Sequence, residues 1–211
     1  MSDDPVRAGY DAVAEDYARE IGGELAHKPL DRALLAMAAE LAAGGRLGDL
    51  GCGPGHVAAH LAGLGADVVG VDLSDRMVAV ARARVPEAEF VQGDLRRLPL
   101  ADGALAGAVA LYSVIHLPPG DLPAAAREMA RVVRPGGQVL VAFHRGEEVR
   151  HLDTWWGHHV SIDFRFLDPD AVAGHLRDVG MEIVARVDRA PIPGAESPSE
   201  RTYLVARVPA E

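Results

Sequence analysis

Seven consecutive residues, Asp49-Leu50-Gly51-Cys52-Gly53-Pro54-Gly55, set three glycines between a short apolar run and an alanine-rich helical pattern that opens near His56. Glycine lacks a Cβ, so a turn of this kind lets the backbone come close to a ligand. The N–H groups at the start of the following helix can meet polar or negative groups. Alone this is a weak signal, because many α/β folds place glycines there. The next acid strengthens it. Val68-Val69-Gly70-Val71-Asp72 reads as a second buried strand ending in a carboxylate. It follows the glycines by about 20 residues, the place and chemistry of a ribose-hydroxyl acceptor. The pair implies a nucleoside-bearing cofactor.

The dinucleotide fingerprint is G-x-G-x-x-G. Here the glycines fall as G-x-G-x-G, with Pro54 between the last two. This register resembles the first motif of the class I S-adenosylmethionine (SAM) methyltransferases, in particular the small single-domain members of the type 11/25 kind. Asp72-Leu73-Ser74, Gln92-Gly93-Asp94-Leu95, Leu111 to Leu117 and Arg134-Pro135-Gly136-Gly137 resemble further segments of that family in its usual order, over roughly residues 46–143. The resemblance implies SAM as cofactor and S-adenosylhomocysteine as product. It places Asp49, Gly51, Cys52, Gly53 and Gly55 at the methionine part, Asp72 and Leu73 at the ribose, and Gly93, Asp94 and Leu95 around the adenine. Cys52 reads as a small packed residue of that loop rather than a nucleophile. Tyr112, Ser113 and His116 fall beside the transferred methyl. Tyr10 or Tyr17 is implied as a partner of the cofactor carboxylate, with core packing as the plain alternative.

Methyl transfer from a sulfonium needs an acceptor lone pair in line with the S–CH₃ bond and a site that keeps water out. A phenol or acidic N–H acceptor also gains from a base, and His116 is the candidate because imidazole titrates in the useful range. Tyr112 and Ser113 are candidates for orienting the substrate; packing near the cofactor is the alternative for His116. Members of the family that methylate adenine or glutamine nitrogens carry an Asn/Asp-Pro-Pro-aromatic motif where this chain has Leu-Tyr-Ser-Val-Ile-His, which argues against those acceptors. The segment 144–168 is the most unusual in composition, holding His144, His151, Trp155, Trp156, His158 and His159. It reads as a substrate lid, with His144, Trp155, Trp156, His158 and His159 as acceptor contacts. Aromatic walls suit a flat organic acceptor. No metal-ligand spacing stands out. The expected activity is methyl transfer to O or N of a small, aromatic or heterocyclic molecule. A SAM-binding protein without transfer and an NAD(P)-dependent oxidoreductase are the competing readings.

These residues need rigid elements beneath them. Val6, Tyr10, Val13 and Tyr17 recur at helical spacing and predict a helix over about 4–20. A second helix starts at Pro29 and ends before Gly44-Gly45. Strands are expected near 46–50, 67–72, 88–92, 106–112 and 138–143, with helices between them, which means parallel strands and crossover helices on both faces. A helix from Asp168-Pro169 to about 179 precedes two β-rich runs, 181–187 and 203–208, that suit an antiparallel edge hairpin. The fold expected is therefore a single α/β domain over residues 1–211, a Rossmann-like doubly wound sheet of seven strands, mostly parallel with an antiparallel C-terminal hairpin. Residues 1–43 form an N-terminal helical lid in this reading. Composition bounds the partners. The formal net charge is −10 and Lys28 is the only lysine among 21 Lys and Arg, so a phosphate backbone would be repelled and nucleic acid is not expected. No apolar run reaches the ~18 residues of a membrane span, the acidic start Met1-Ser2-Asp3-Asp4 does not resemble a signal peptide, and a lone cysteine excludes an internal disulfide. A cytoplasmic monomer or homodimer is expected.

Overall fold

Asp4 starts the first helix, α1 (Pro5–Ile21), because its carboxylate accepts from the N–H groups of Val6 and Arg7 and Pro5 needs no such partner. The computed structural model describes residues 4–210; Met1-Ser2-Asp3 of the expected acidic start, and Glu211, lie outside the described residues. A 3₁₀ turn, Glu24–His27, leads into α2 (Pro29–Leu41), again with proline at its first position. Strands and helices then alternate as β1 (Arg46–Leu50), α3 (His56–Gly63), β2 (Asp67–Asp72), α4 (Asp75–Arg84), β3 (Glu89–Gln92), β4 (Leu105–Leu111), α5 (Leu122–Val132) and β5 (Val133–His144). The chain continues through β6 (Val149–Trp155), β7 (His158–Arg165), α6 (Pro169–Asp178), β8 (Glu182–Arg189) and β9 (Arg201–Arg207).

Seven strands form one sheet in the order β3-β2-β1-β4-β5-β9-β8. The pairs among β1 to β5 are parallel; β9 runs antiparallel to both β5 and β8. This is the doubly wound sheet with a C-terminal hairpin that the pattern implied. Alternate residues of the central strands feed two cores. On β4, Leu105, Ala108 and Ala110 pack with α5 and α6, whereas Ala106 and Val109 pack with α2 and α3 residues such as Leu35, Val57 and Leu61. Strand order reverses between β1 and β4, whose chains leave the sheet to opposite sides. The crevice above their carboxyl ends is where such sheets receive ligands.

Two features depart from expectation. Strand β5 begins at Val133, and the Arg134-Pro135-Gly136-Gly137 turn lies within it as a bulge: Leu105 pairs with Val133 but Gly107 already pairs with Gln138, and Gly136 has φ +80°. The segment expected as a substrate lid, to which no strands were assigned, forms a second sheet, the antiparallel hairpin β6–β7. Its turn residues, Trp156 and Gly157, have φ +46° and +85°, the two positive values of a type I′ turn. No helix among the described residues is long and apolar enough to cross a membrane.

Candidate active site

The glycine loop closes β1. Gly51, Gly53 and Gly55 have φ of +81°, +52° and +83°, a conformation costly for any residue with a Cβ. Their surroundings differ. A Cβ on Gly51 would collide with Ser113, and one on Gly55 would press on Ala81 and Phe90, whereas Gly53 has only the Tyr17 ring near it. Gly51 and Gly53 therefore face a cavity of about 330 Å³, and Gly55 packs α3 against its neighbours instead of lining that cavity. The volume lies within the range of pockets that hold small organic molecules. Asp49, Cys52, Asp72, Leu73, Gly93, Asp94, Leu95, Tyr10 and Tyr17 also line it. The Cys52 thiol is buried, and burial raises its pKa, so it is a packed side chain with little thiolate character.

The two central acids are held differently. Asp72 accepts from the Gly53 N–H at 2.8 Å and the Ser74 N–H at 2.9 Å. Burial nevertheless pushes its pKa up to about 6. Asp49 is 2 % exposed and its Oδ2 has no partner. Burial, then the charge of Asp72, pushes it to about 7. A buried acceptor without a donor is costly, and Asp49 lines the cavity, so a ligand bearing donors would complement it. Asp94 is already occupied in part: the Arg96 guanidinium holds both of its oxygens, at 3.0 Å and 2.6 Å, and also reaches Asp121. An adenine amino group there would share the carboxylate with Arg96. Backbone approach at two positive-φ glycines, an unpartnered acid and an acid at the end of β2 fit a nucleoside with a charged tail.

His116 sits in a short 3₁₀ turn (Val114–His116) leaving β4. Its Nδ1 lies 3.0 Å from the Asp163 carbonyl of β7, so Nδ1 carries the proton and Nε2 the lone pair. The Tyr10 hydroxyl lies 2.7 Å from Nε2 and donates to it. Burial holds the imidazole neutral by lowering its pKa to about 4. Three separate elements, α1, the β4 exit and β7, thus meet at one ring. Ser113 and Tyr112 line the cavity but spend their hydroxyls elsewhere. Ser113 donates to the Leu50 carbonyl at 2.7 Å, tying the β4 exit to the glycine loop, and the Tyr112 hydroxyl meets that of Tyr203 at 3.1 Å. Neither hydroxyl is turned to a substrate in this state.

The expected lid contacts require correction. Trp155 stacks on Trp156 at 4.8 Å and meets Tyr10, Tyr17 and Phe164 edge-on. His158 pairs with Asp16 of α1 at 2.7 Å. His144 packs between Tyr112 and Phe166, with Nδ1 2.9 Å from the Ser199 hydroxyl. None of these, nor the exposed His159, lines the cavity. The expected residues are taken up elsewhere, Trp155 and His158 by α1 and His144 by the packing around the end of β5; the residues of the hairpin that do line the cavity are Ser161, Asp163 and Arg165 on alternate positions of β7, and His151 opposite Asp163 on β6. Those four, together with Glu24 and His56, were missed. The i, i+2, i+4 spacing of Ser161, Asp163 and Arg165 was the one signal, visible only once the hairpin register is known; His151, Glu24 and His56 had none.

Comparison with known proteins agrees with this geometry. A family profile described as "Methyltransferase domain" matches residues 48–137. A demethylmenaquinone methyltransferase of Beutenbergia cavernae is 42 % identical over 99 residues, 47 % of this chain and 40 % of that protein. A malonyl-[acyl-carrier protein] O-methyltransferase of Serratia marcescens is 33 % identical over 149 residues, 69 % of this chain and 57 % of that one. The chain spans about half the length of the curated relatives it matches. The solved structure of the CcbJ methyltransferase from Streptomyces caelestis superposes with a TM-score of 0.74 at 21 % identity, covering 96 % of this chain and 98 % of that one. With the glycine loop, its acids and the seven-stranded topology already in place, the chain belongs to the class I SAM-dependent methyltransferase family.

Proposed function

We propose that this protein transfers a methyl group from SAM to O or N of a small molecule by direct in-line displacement. The observation that supports the reading is the single cavity wall shared by the glycine loop, Asp49 and Asp72 on one side and the β4 exit with His116 on the other. The bound cofactor would supply the activated methyl on a sulfonium. Gly51 and Gly53 give the close backbone approach; Asp72 accepts from ribose hydroxyls; Gly93, Asp94 and Leu95 flank the adenine; and Asp49 offers its unpartnered oxygen to the cationic tail. Tyr10, Tyr17 and the hairpin close the site against water, which would otherwise compete as nucleophile.

Acid–base help, where the acceptor needs it, falls to His116 and Tyr10. Because Nε2 already receives the Tyr10 hydroxyl, a leaving proton reaches it in one of two ways. Tyr10 turns aside, or it passes its own proton to Nε2 as it takes the acceptor's. The acceptor side of the wall is polar, with Ser161, Asp163, Arg165 and His151, and the tryptophans that motivated a flat aromatic acceptor face the α1 tyrosines. We therefore favour an acceptor carrying ionisable or hydrogen-bonding groups near its methylation site. A small molecule remains the preferred substrate, although several relatives are named for an acyl-carrier-protein substrate. Residues 1–43 and 144–168 act as lids over one domain in this proposal, in a cytoplasmic monomer or homodimer.

The test is calorimetric titration with S-adenosylhomocysteine, SAM and NAD(H), then transfer of labelled methyl to a panel of hydroxyl and amine acceptors. Binding of the first two alone and label in an acceptor are expected. Binding without transfer to any acceptor favours a SAM-binding protein of another role; binding of NAD(H) alone refutes the proposal.

A further inference from the structure

Glu24 and His56 lie outside the family's glycine-loop signature, yet both line the cavity. Glu24 comes from the 3₁₀ turn between α1 and α2, and His56 is the first residue of α3. Their position along the cavity follows from Tyr17. Its ring feels burial first, then the charges of Glu24 and of Asp72, and it is the nearest neighbour of Gly53. Glu24 and the ribose acid therefore both lie near Tyr17, at the end of the cavity where that ring meets the glycine loop.

The donors and acceptors at that end are unbalanced. Glu24 Oε1 lies 3.3 Å from His56 Nε2. A carboxylate only accepts, so Nε2 carries a proton and, in the neutral imidazole, Nδ1 holds the lone pair. That Nδ1 is buried and has no partner, as is Asp49 Oδ2. Lys28 fixes the other oxygen of Glu24 at 2.7 Å and leans toward Glu196 at 3.8 Å. Its charge is thus shared between two carboxylates, and it is not part of the cavity wall. What remains unpartnered beside the Glu24 carboxylate is one carboxylate oxygen, of Asp49, and one imidazole lone pair. The ligand group that completes such a set is cationic and rich in N–H.

Accepting that the cavity holds SAM, we infer that Glu24 and His56 bind the ammonium group of its amino-acid end, with Asp49 as the third acceptor. The pair anchors the tail from outside the sheet, and α1 and α2 help to define the cofactor site through the turn that joins them.

The experiment compares S-adenosylhomocysteine with 5′-methylthioadenosine, which has the same nucleoside and sulfur but no amino-acid end. Calorimetric affinities are measured for the wild type, Glu24→Gln and His56→Leu. Losing a charge-assisted hydrogen bond weakens binding on the order of tenfold or more. S-adenosylhomocysteine should lose this factor in both variants while 5′-methylthioadenosine stays within about twofold, which also reports that the variants are folded. Decarboxylated S-adenosylhomocysteine, which keeps the ammonium, should lose the same factor. Equal weakening of both nucleosides, or none of either, overturns the assignment, and an unaffected decarboxylated ligand overturns the choice of the ammonium. A wild type that binds neither nucleoside refutes the cofactor reading itself, a result distinct from all of these. His56→Leu retains Glu24 with its Lys28 partner, so one variant remains readable if Glu24→Gln fails to fold.

Discussion

Replacing Asp49 by asparagine should stabilise the cofactor-free protein, and should do so only when the pH is high. Asp49 is buried with one oxygen unpartnered, and burial with the nearby Asp72 charge lifts its pKa from 3.8 to about 7. The folded state therefore holds a proton that the unfolded state has released between these values, and stability falls as pH rises from about 4 to about 7. Above that window, a shift of about three units at 1.36 kcal/mol each amounts to about 4 kcal/mol of destabilisation. The asparagine side chain has the same shape and no charge. It leaves an amide donor where Oδ2 was, which costs about 1–3 kcal/mol. The net gain near pH 8 is then about 1–3 kcal/mol, or a rise in Tm of roughly 2–12 °C for a domain of this size. Near pH 4 the charge penalty is gone and only the cost of the amide remains, so the variant is no more stable than the wild type there. Thermal unfolding followed by circular dichroism at several pH values gives both numbers. A constant offset between the two proteins across that range would refute the argument, because it would mean that the carboxyl ionises in the folded state as it does in the unfolded one. The same variant should bind S-adenosylhomocysteine more weakly, so stability and affinity move in opposite directions.

Gly51→Ala must hold a positive φ and drive its Cβ into Ser113; a loss of about 1–2 kcal/mol in urea unfolding is expected from the backbone alone and more from the collision, together with loss of cofactor binding. Tyr10→Phe leaves the buried Nε2 of His116 without its donor, and should cost about 1–3 kcal/mol of stability; an unchanged urea midpoint would mean that α1 does not clasp this ring. Glu196→Gln removes the shared carboxylate of Arg189, Arg201 and Lys28 and should destabilise by about 3–5 kcal/mol, measured by chemical denaturation. Its effect should fade in acid, because burial opposes but Arg189 and Arg201 hold Glu196 down to about 2; the pair's contribution is complete above the ordinary 4.5 and is lost as pH falls toward 2. Trp155 and Trp156 are the chain's two tryptophans and both sit at the hairpin turn against Tyr10 and Tyr17, so S-adenosylhomocysteine should change the intrinsic emission. A titration that saturates calorimetrically with no change in emission would separate the lid from the cofactor.

The parallel sheet was legible because its strands are continuous apolar runs bounded by glycine, proline or a cap, as at Ser74 before α4 and Asp168 before α6. The glycine loop and Asp72 were legible because only a few residue types tolerate their positions. The hairpin was not. A type I′ turn announces itself as Asn-Gly or Asp-Gly, and here a tryptophan occupies the first left-handed position, so the strands on either side read as one aromatic-rich loop. From that error followed the next. With no register, the conspicuous rings drew attention, while the alternate positions Ser161, Asp163 and Arg165 went unnoticed. Lys28 was equally opaque: a lysine before proline reads as a solvated one, but the loop between β8 and β9 folds Glu196 back over it and leaves it 5 % exposed.

The hairpin enters and leaves the main sheet at one point, where Leu167 N–H donates to the His144 carbonyl at 2.8 Å and Gly146 N–H to the Leu167 carbonyl at 3.2 Å. The segment between these bonds forms a closed excursion whose length the seven-stranded sheet does not register, since lengthening such an excursion adds only a slowly growing closure entropy. On the proposed assignment, the hairpin's share of the acceptor wall is thus carried on an exchangeable cassette, and the cofactor wall on the frame of the main sheet. Drift in one need not disturb the other, and a new acceptor wall could be grafted at residues 146 and 167 without redesigning the strands beneath it.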